Sequence, residues 1–167
     1  MYFVRTAGER DLDKVRALLG ETWHATYDGL YGAAKVDDLH ASWHSVASLK
    51  TRLEKKGSEF VVADSGKDIG GMGYASMSID MAKTVLLHML YVRPLLQRQG
   101  IGRDIFAELE TCFPDAETIR VEVEPENALA ISFYQGLGFD EVGRNENAGP
   151  KQSGIPTLVF EKSLAQH

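Results

Sequence analysis

The sequence has one cysteine, no long apolar run and no cluster of basic residues, and each absence excludes a class of protein. Cys112 has no partner for an internal disulfide, and no stretch is apolar for long enough to span a membrane. Met1 to Arg5 lacks the charged-then-apolar order of a signal peptide, so we expect a cytoplasmic protein. The net charge of −6 argues against nucleic acid or an anionic membrane surface as the main partner.

Familiar metal and nucleotide motifs are missing as well. The sequence has no H-E-x-x-H pattern and no other clear set of metal ligands, so we expect no metal. It has no G-x-x-x-x-G-K followed by Ser or Thr, which excludes a P-loop. The G-x-G-x-x-G pattern fails because Ile105 stands where the third glycine would fall. An anion site in this chain would have to be of another kind.

The length of 167 residues, with 44% hydrophobic residues, suits one domain over residues 1–167. Strand-like segments dominate the middle and end, with helices between them. This order predicts a mixed α/β domain whose largely antiparallel sheet is flanked by helices. The apolar spacing further predicts a first helix that ends at Gly20, a second helix over Val36–Lys55 and a surface loop over Asn145–Pro156.

The chain is organised around the stretch from Leu86 to Arg103. Its apolar first part predicts a buried strand, which should end near Arg93 because Pro94 cannot donate to a sheet ladder. From Ile101 onward, apolar residues recur at helical spacing. The unit is therefore a strand, a glycine-bearing turn and a helix.

Such a turn is suited to binding an anion. The first N–H groups of a helix have no partner within it, and the helix dipole adds partial positive charge there. Gly100 and Gly102 let the backbone approach a ligand, and Arg98 and Arg103 add positive charge. A phosphate or pyrophosphate fits this chemistry. The alternative is a tight turn that needs glycine for its geometry alone.

Two motifs in this chain are similar to those of a known family. The segment Tyr91–Gly102, with Y-V-x-P followed by Q-x-x-G-x-G, resembles the acetyl-CoA-binding motif of the GNAT N-acetyltransferase superfamily. The segment Asn127–Phe139, with N-x-x-A-x-x-F-Y and a later G-F, resembles that family's helix-and-strand motif. The resemblance covers roughly Glu59 to Lys162 and is looser in the N-terminal third.

The resemblance implies an acetyl-CoA-dependent N-acetyltransferase. In this reading acetyl-CoA is the co-substrate, and its acetyl group moves to a primary amine by direct attack in a ternary complex. The amine belongs to a small molecule or a peptide. The sequences of the Trp23–Gly32 segment and of the central strand most resemble the branch of the family that includes polyamine and antibiotic-type acetyltransferases. A GNAT-like fold would splay the central strand from the strand at Thr118–Val123 and admit the cofactor between them. A homodimeric assembly is left open.

Two alternative functions are considered. A non-catalytic acyl-CoA-binding module, acting as a sensor or regulatory subunit, would use the same turn. A nucleotide-binding protein with a different anion ligand is the more distant alternative.

The resemblance also implies which residues contact the cofactor. Backbone N–H groups near the end of the central strand would polarise the thioester carbonyl. The turn would hold the pyrophosphate, and the second motif would complete the site. The cofactor residues are Leu90, Tyr91, Val92, Gln97, Arg98, Gln99, Gly100, Ile101, Gly102, Arg103, Asn127, Ala130 and Tyr134.

Tyr134 and His88 are the candidate catalytic residues. A tyrosine hydroxyl is protonated at neutral pH and can donate to the CoA thiolate, so Tyr134 is the candidate acid; alternatively its ring only packs. His88 is the candidate base, and strand alternation places it on the same face as Leu90. Related sequences often carry glutamate there, so His88 is a departure and a packed histidine is its alternative reading. Glu122 and Glu124 are the other candidate bases.

The resemblance implies that the segment Glu21–Gly32 forms part of the acceptor site. Trp23, Tyr27 and Tyr31 are its candidate substrate residues, and Glu122 would make the mouth of the site acidic. The alternative is that these aromatic side chains simply cover the core.

Overall fold

The computed structural model describes residues 1–148 and 155–164 as an α/β fold with a seven-stranded mixed sheet. This confirms the predicted fold class. Short 3-10 turns cover Glu9–Asp11 and Pro94–Leu96. The α-helices are α1 (Leu12–Tyr31), α2 (Ala33–Trp43), α3 (Val46–Glu54), α4 (Ile101–Thr111) and α5 (Ala128–Gly136). The strands are β1 (Phe3–Thr6), β2 (Ser58–Asp64), β3 (Ile69–Met77), β4 (Thr84–Val92), β5 (Thr118–Val123), β6 (Asp140–Ala148) and β7 (Ile155–Ser163), in the sheet order β1-β2-β3-β4-β5-β7-β6.

The chain forms two compact units. The first contains Met1–Ala75 and Met89–Cys112, and the second contains Ser76–His88 and the chain from Phe113 onward. Among the described residues, no helix combines the length and apolarity that a membrane crossing requires.

In the first unit, α4 packs closely on glycines of β3. A Cβ at Gly71 would lie 2.9 Å from Ile105 Cδ1, and one at Gly73 would lie 2.6 Å from Ile105 Cγ2. These glycines of β3 therefore serve close packing, because side chains there would push the helix away. The packing fixes the start of α4 directly after the turn that follows β4.

The prediction that the first helix ends at Gly20 is wrong, because α1 continues to Tyr31. Gly20 lies inside the helix, where a Cβ would come within 3.0 Å of His40 Nε2 on α2. A helix-interior glycine costs about 1 kcal/mol relative to alanine, and here it permits the close approach of a neighbouring helix. The aromatic segment is therefore helical up to Tyr31, and Gly32 ends it with a φ of 84°.

The single helix predicted over Val36–Lys55 is also wrong, because the structure divides it into α2 and α3. Ser45 lies between them with extended backbone, and its Oγ accepts a hydrogen bond from the N–H of Ser48 at 3.1 Å. A serine at this position starts a new helix by satisfying a free N–H group. Continuous apolar spacing concealed this break.

The predicted loop over Asn145–Pro156 is wrong at both of its ends. The structure extends β6 to Ala148 and begins β7 at Ile155. Residues 149–154 lie outside the described part of the chain. Pairing between β6 and β7, with register shifts after Glu141 and after Asn145, overrides the turn-like composition of these ends.

In the second unit, β5 lies between β4 and β7. Its parallel register with β4 runs from Thr84↔Thr118 to Leu87↔Val121. Its antiparallel register with β7 extends over all six residues of β5. An ion pair between Arg120 and Glu161, with N and O at 3.0 Å, links β5 and β7 at one register position.

Candidate active site

The turn after β4 is held by a side-chain hydrogen bond and contains two residues in the left-handed conformation. The amide Nε2 of Gln97 donates to the carbonyl of Val92 at 3.2 Å, which ties the turn to the end of the strand. Arg98 has a φ of 66° and Gly100 a φ of 87°, so both adopt the left-handed conformation. For Arg98 this conformation is unfavourable, and such strain is concentrated at functional sites.

The start of α4 presents free backbone donors to solvent. Among the described residues, no side chain caps this helix end, and a Cβ at Gly100 would meet no atom within 4 Å. Arg98 and Arg103 are exposed on either side, although Asp104 brings one opposite charge into the first turn. Free N–H groups, open space and two guanidinium groups fit a pyrophosphate.

Not every predicted turn residue has a side chain that a ligand could reach. Ile101 is only 6% exposed and belongs to the core, so its backbone alone is available to a ligand. Gln97, Gln99 and Arg103 are exposed, and Gly102 is half-buried. The turn would thus bind a ligand mainly through backbone N–H groups and the two arginines.

The start of α5 is built differently. Asn127 Oδ1 accepts a hydrogen bond from the N–H of Ala130 at 3.2 Å, so the two residues cap their own helix. Just before them, Glu124 Oε2 accepts from the N–H of Glu126 at 2.6 Å. An asparagine before an apolar helix is a familiar capping signal, which the sequence interpretation did not use. The predicted cofactor role of Asn127 and Ala130 remains a prediction.

Tyr134 lies on α5 with only 6% of its surface exposed. Its ring makes edge contacts with Phe133 and Phe139, with centroids 5.2 and 5.3 Å away. Its carbonyl accepts from the N–H of Phe139 at 3.0 Å. These contacts hold the ring in one orientation, which a positioned acid requires.

His88 is exposed on β4, whereas Met89 beside it is buried in the core of the first unit. This agrees with the predicted alternation of faces. His88 Nε2 lies 2.7 Å from the hydroxyl oxygen of Ser76 on the neighbouring strand β3. The sequence interpretation missed Ser76, and only the pairing order of the strands would have indicated it.

Tyr91, a predicted cofactor residue, lies near Trp23, a predicted substrate residue. Burial raises the pKa of the Tyr91 hydroxyl, while Trp23 and the charge of Arg52 oppose that rise. Leu90 and Val92, on either side of Tyr91, are half-buried on β4.

The aromatic residues of α1 form a row along one helix face. The rings of Trp23 and Tyr27 are 4.8 Å apart, and those of Tyr27 and Tyr31 are 6.0 Å apart. Trp23 is 8% exposed and belongs to the core, whereas both tyrosines are half-buried. The ammonium of Lys35 lies 4.9 Å from the Tyr31 ring centroid. Tyr31 thus makes a cation–π contact with the ammonium group of a lysine of the same chain.

Glu122 is exposed on β5, and its Oε1 accepts from Asn145 Nδ2 at 2.8 Å. Glu124 is buried and engaged with the backbone of Glu126. Of these two carboxylates, Glu122 therefore has the better access to solvent. Within residues 1–148 and 155–164, no three His, Cys, Asp or Glu side chains form a group that could hold a metal ion.

The mixed sheet defines an α/β protein, and the glycine-bearing start of α4 gives it a turn whose geometry suits an anion. A sequence model described as the acetyltransferase (GNAT) domain matches residues 26–162, most of the chain. The protein therefore belongs to the GNAT family of acetyltransferases, and it is an acyltransferase of the N-acetyltransferase class.

Individual relatives are more distant. Spermidine N(1)-acetyltransferase of Thermoplasma acidophilum is 24% identical over 140 residues, which are 81% of this chain and 86% of the relative. Ribosomal protein bS18-alanine N-acetyltransferase of Salmonella typhimurium is 28% identical over 134 residues, 74% of this chain and 88% of the relative. The crystal structure of PaiA N-acetyltransferase from Thermoplasma acidophilum, in complex with coenzyme A, has the same fold. It is 20% identical, with a TM-score of 0.83 over 98% of this chain and 99% of that one.

Proposed function

We propose that residues 1–167 act as one acetyltransferase domain that transfers the acetyl group of acetyl-CoA to a primary amine by direct attack in a ternary complex. The observation that carries the proposal is the exposed, uncapped start of α4 after Gly100, with Arg98 and Arg103 beside it. The coenzyme A bound to the PaiA structure supports it, since that protein shares this fold.

The turn from Gln97 to Arg103 would bind the pyrophosphate through backbone N–H groups and guanidinium charge. When bound, acetyl-CoA supplies the acetyl group as a thioester. Backbone N–H groups from Leu90 to Val92 would donate to the thioester carbonyl, where negative charge develops. Asn127 and Ala130 would complete the binding site, and their capping bond keeps the start of α5 rigid.

Two side chains would move the protons. A lysine-type amine has a pKa near ~10.4, so it must lose a proton before it attacks. The exposed imidazole of His88 would accept that proton. The hydroxyl of Tyr134, on a ring fixed by Phe133 and Phe139, would donate a proton to the leaving sulfur. This scheme needs no metal, because backbone donors polarise the carbonyl and side chains carry the protons.

The acceptor would be a small amine or a peptide amino group. Tyr27 and Tyr31 would contact its alkylammonium body, with Trp23 behind them, and the exposed carboxylate of Glu122 would attract its charge. The contact between Lys35 and Tyr31 supports this choice, because it shows an aliphatic ammonium on one of these rings. Relatives named for spermidine and for a ribosomal-protein alanine fit the same chemical class.

The test is CoA-thiol release from acetyl-CoA across amines, polyamines, amino acids, aminoglycosides and peptides. We expect turnover with at least one amine and dependence on both substrates. Cys112 is a free thiol, so a blank with enzyme alone is required, although burial raises the pKa of that thiol and slows its reaction. Binding of CoA without turnover of any acceptor would contradict the proposal and favour a sensor module.

A further inference from the structure

Arg93 directly follows β4, and its backbone is hydrogen bonded on both sides. Its N–H donates to the carbonyl of Gly70 on β3 at 2.8 Å. Its carbonyl accepts from the N–H of Leu96 at 2.8 Å, across the short 3-10 turn that begins at Pro94. The chain therefore leaves the sheet at Arg93 in a defined direction.

The side chain of Arg93 contacts acidic residues from two other segments. Its Nη1 donates to Oδ2 of Asp68, which directly precedes β3. Its Nε lies 3.3 Å from Oε2 of Glu21 on α1, within ion-pair distance, although among the described residues this nitrogen has no hydrogen-bond partner. Asp68 is therefore the main partner of the guanidinium group, and Glu21 is a secondary one.

We propose that Arg93 is a positioning residue that holds the cofactor turn, Gln97–Arg103, through its bond to Asp68, and that it does not itself bind the cofactor. The inference rests on the proposed function and adds to it a residue that sets how the turn begins. The guanidinium of Arg93 is engaged by carboxylates, whereas Arg98 and Arg103 are exposed. All of these residues belong to the first unit.

Packing beneath the turn supports this role. A Cβ at Gly70 would lie 2.9 Å from Leu96 Cδ1 and 2.6 Å from Tyr2 Cε1, so Leu96 lies directly against the backbone of β3. Four residues separate Leu96 from Ile101, the first residue of α4. A shift where the turn begins would therefore displace the N–H groups that are proposed to bind the pyrophosphate, because the connection is too short to absorb it.

The loss of the Asp68 carboxylate separates a positioning effect from a charge effect, because the two have opposite signs. The phosphates of CoA are anionic, so removing a nearby carboxylate should by charge alone strengthen CoA binding. If Asp68 holds Arg93, Asp68→Asn should instead weaken binding, roughly two- to fivefold, a modest loss because the pair is partly exposed. Titration calorimetry well below the thermal midpoint of the variant measures this.

The variant Arg93→Gln removes the contacts to both carboxylates. CoA affinity should fall roughly three- to tenfold, the range of one net hydrogen bond, and the acetyl-CoA KM should rise with kcat unchanged. The salt dependence of CoA binding should stay as in the wild type, since a paired guanidinium that touches no phosphate adds little attraction. In this background Asp68→Asn should cause no further loss, because the two residues act as one unit.

A matched control lies in the same β2–β3 hairpin. Asp64 forms an ion pair with Arg5, with Oδ2 and Nε at 2.9 Å, so Asp64→Asn removes a comparable carboxylate from a pair that excludes Arg93. We expect Asp64→Asn to bind CoA as the wild type does, or slightly more tightly. An equal loss in Asp64→Asn and Asp68→Asn would overturn the proposal, because the loss would then belong to the hairpin as a whole.

Three further outcomes would overturn the proposal. These are unchanged or tighter CoA binding in Asp68→Asn, additive losses in the double variant, and a reduced salt dependence in Arg93→Gln, which would mean direct contact with phosphate. If Arg93→Gln does not fold, the sign of the change in Asp68→Asn still decides. If the wild type binds no CoA, the proposed cofactor site fails and this role fails with it. If the wild type binds CoA and the variants equal it, only the positioning role fails.

Discussion

Two helices of the first unit begin after a glycine, and they differ in the charge around that start. Gly32 before α2 and Gly100 before α4 have φ values of 84° and 87°. No described side chain caps either helix, and a Cβ at either glycine would meet no described atom within 4 Å. The two glycines differ in ψ, which is 145° at Gly32 and −1° at Gly100. Both starts still leave N–H groups without a partner in the helix, and this shared feature alone cannot select a ligand.

The charged residues around the two glycines differ. Arg98 and Arg103 flank Gly100, with Asp104 in the first turn of α4, whereas Asp28 and Asp37 flank Gly32, with Lys35 in the first turn of α2. Both Asp28 and Asp37 hydrogen bond to His24, at 2.7 Å each. A free helix start favours anions wherever it occurs, but a phosphate gains most where arginines add to it and least where carboxylates repel it. The start of α4 thus suits the cofactor, and the surroundings of α2 suit a cationic acceptor.

Removing the Tyr134 hydroxyl should have the largest effect and should leave both helix starts intact. In Tyr134→Phe, kcat and kcat/KM should fall together by ~10²–10⁴-fold, the usual contribution of a general acid, while CoA affinity changes little. Steady-state and single-turnover kinetics with one good acceptor measure this, the latter in case product release limits the rate. Tyr74→Phe is the control, since Tyr74 is an equally buried tyrosine in the other unit.

A wild-type single-turnover rate in Tyr134→Phe would remove that residue from the mechanism. Water would then be the proton donor, and α5 would contribute structure alone.

Reversing the charge of Arg103 should weaken cofactor binding at the start of α4. Arg103→Glu places a carboxylate in the first turn of α4, so CoA affinity should fall roughly three- to tenfold and depend less on salt. Titration calorimetry at low and high salt measures both effects. Lys35→Glu, at the start of α2, is the matched control and should leave CoA affinity unchanged. Equal losses would mean that overall charge, and not the turn, attracts the cofactor.

Removing a tyrosine ring near α2 should affect the acceptor and not the cofactor. In Tyr27→Ala or Tyr31→Ala, the acceptor KM should rise roughly two- to fivefold, the loss expected for an exposed cation–π contact, with a smaller change in the acetyl-CoA KM. Bisubstrate kinetics separates the two constants. Proportional rises in both would indicate general packing damage in α1.

The smallest effect is expected from pH, through His24. Hydrogen bonds to Asp28 and then Asp37 raise the pKa of His24 above its ordinary 6.5. The histidine therefore stabilises the α1–α2 contact below about pH 6.5, and this stabilisation is lost as pH rises through the raised folded pKa. Thermal unfolding across this range should show a smaller decline with pH in His24→Gln. His40 and Arg16 also act on this region, so His40→Gln is the control.

The strand, turn and helix from Thr84 to Thr111 could be predicted from sequence because local signals determine them. An apolar run, Pro94 and the glycines before an amphipathic segment act within a few residues. The end of α1 could not be predicted in this way. Gly20 reads locally as a helix stop, but contact with His40, twenty residues further on, makes it an interior position.

In the candidate site, too, some features depend on local sequence signals and others on contacts between distant segments. The turn residues could be predicted from sequence because the motif and the chemistry lie in one short segment, and their role in cofactor binding stays a prediction. The contact between Ser76 and His88 depends on how β3 and β4 pair, and the bond between Asn145 and Glu122 depends on how β6 and β7 fold back on β5. Such contacts between distant segments leave no local pattern to recognise.

The most direct test of the account is the CoA affinity of three matched glycine variants. Gly32, Gly57 and Gly100 all have positive φ and open space around the Cβ position, so a valine at each adopts a φ that L residues rarely adopt but meets no described neighbour. By titration calorimetry, Gly100→Val should weaken CoA binding at least tenfold, about 1.4 kcal/mol, while Gly32→Val and Gly57→Val should bind as the wild type does. Wild-type affinity in a folded Gly100→Val protein, or an equal loss in all three variants, would contradict the assignment of the α4 start as the cofactor site.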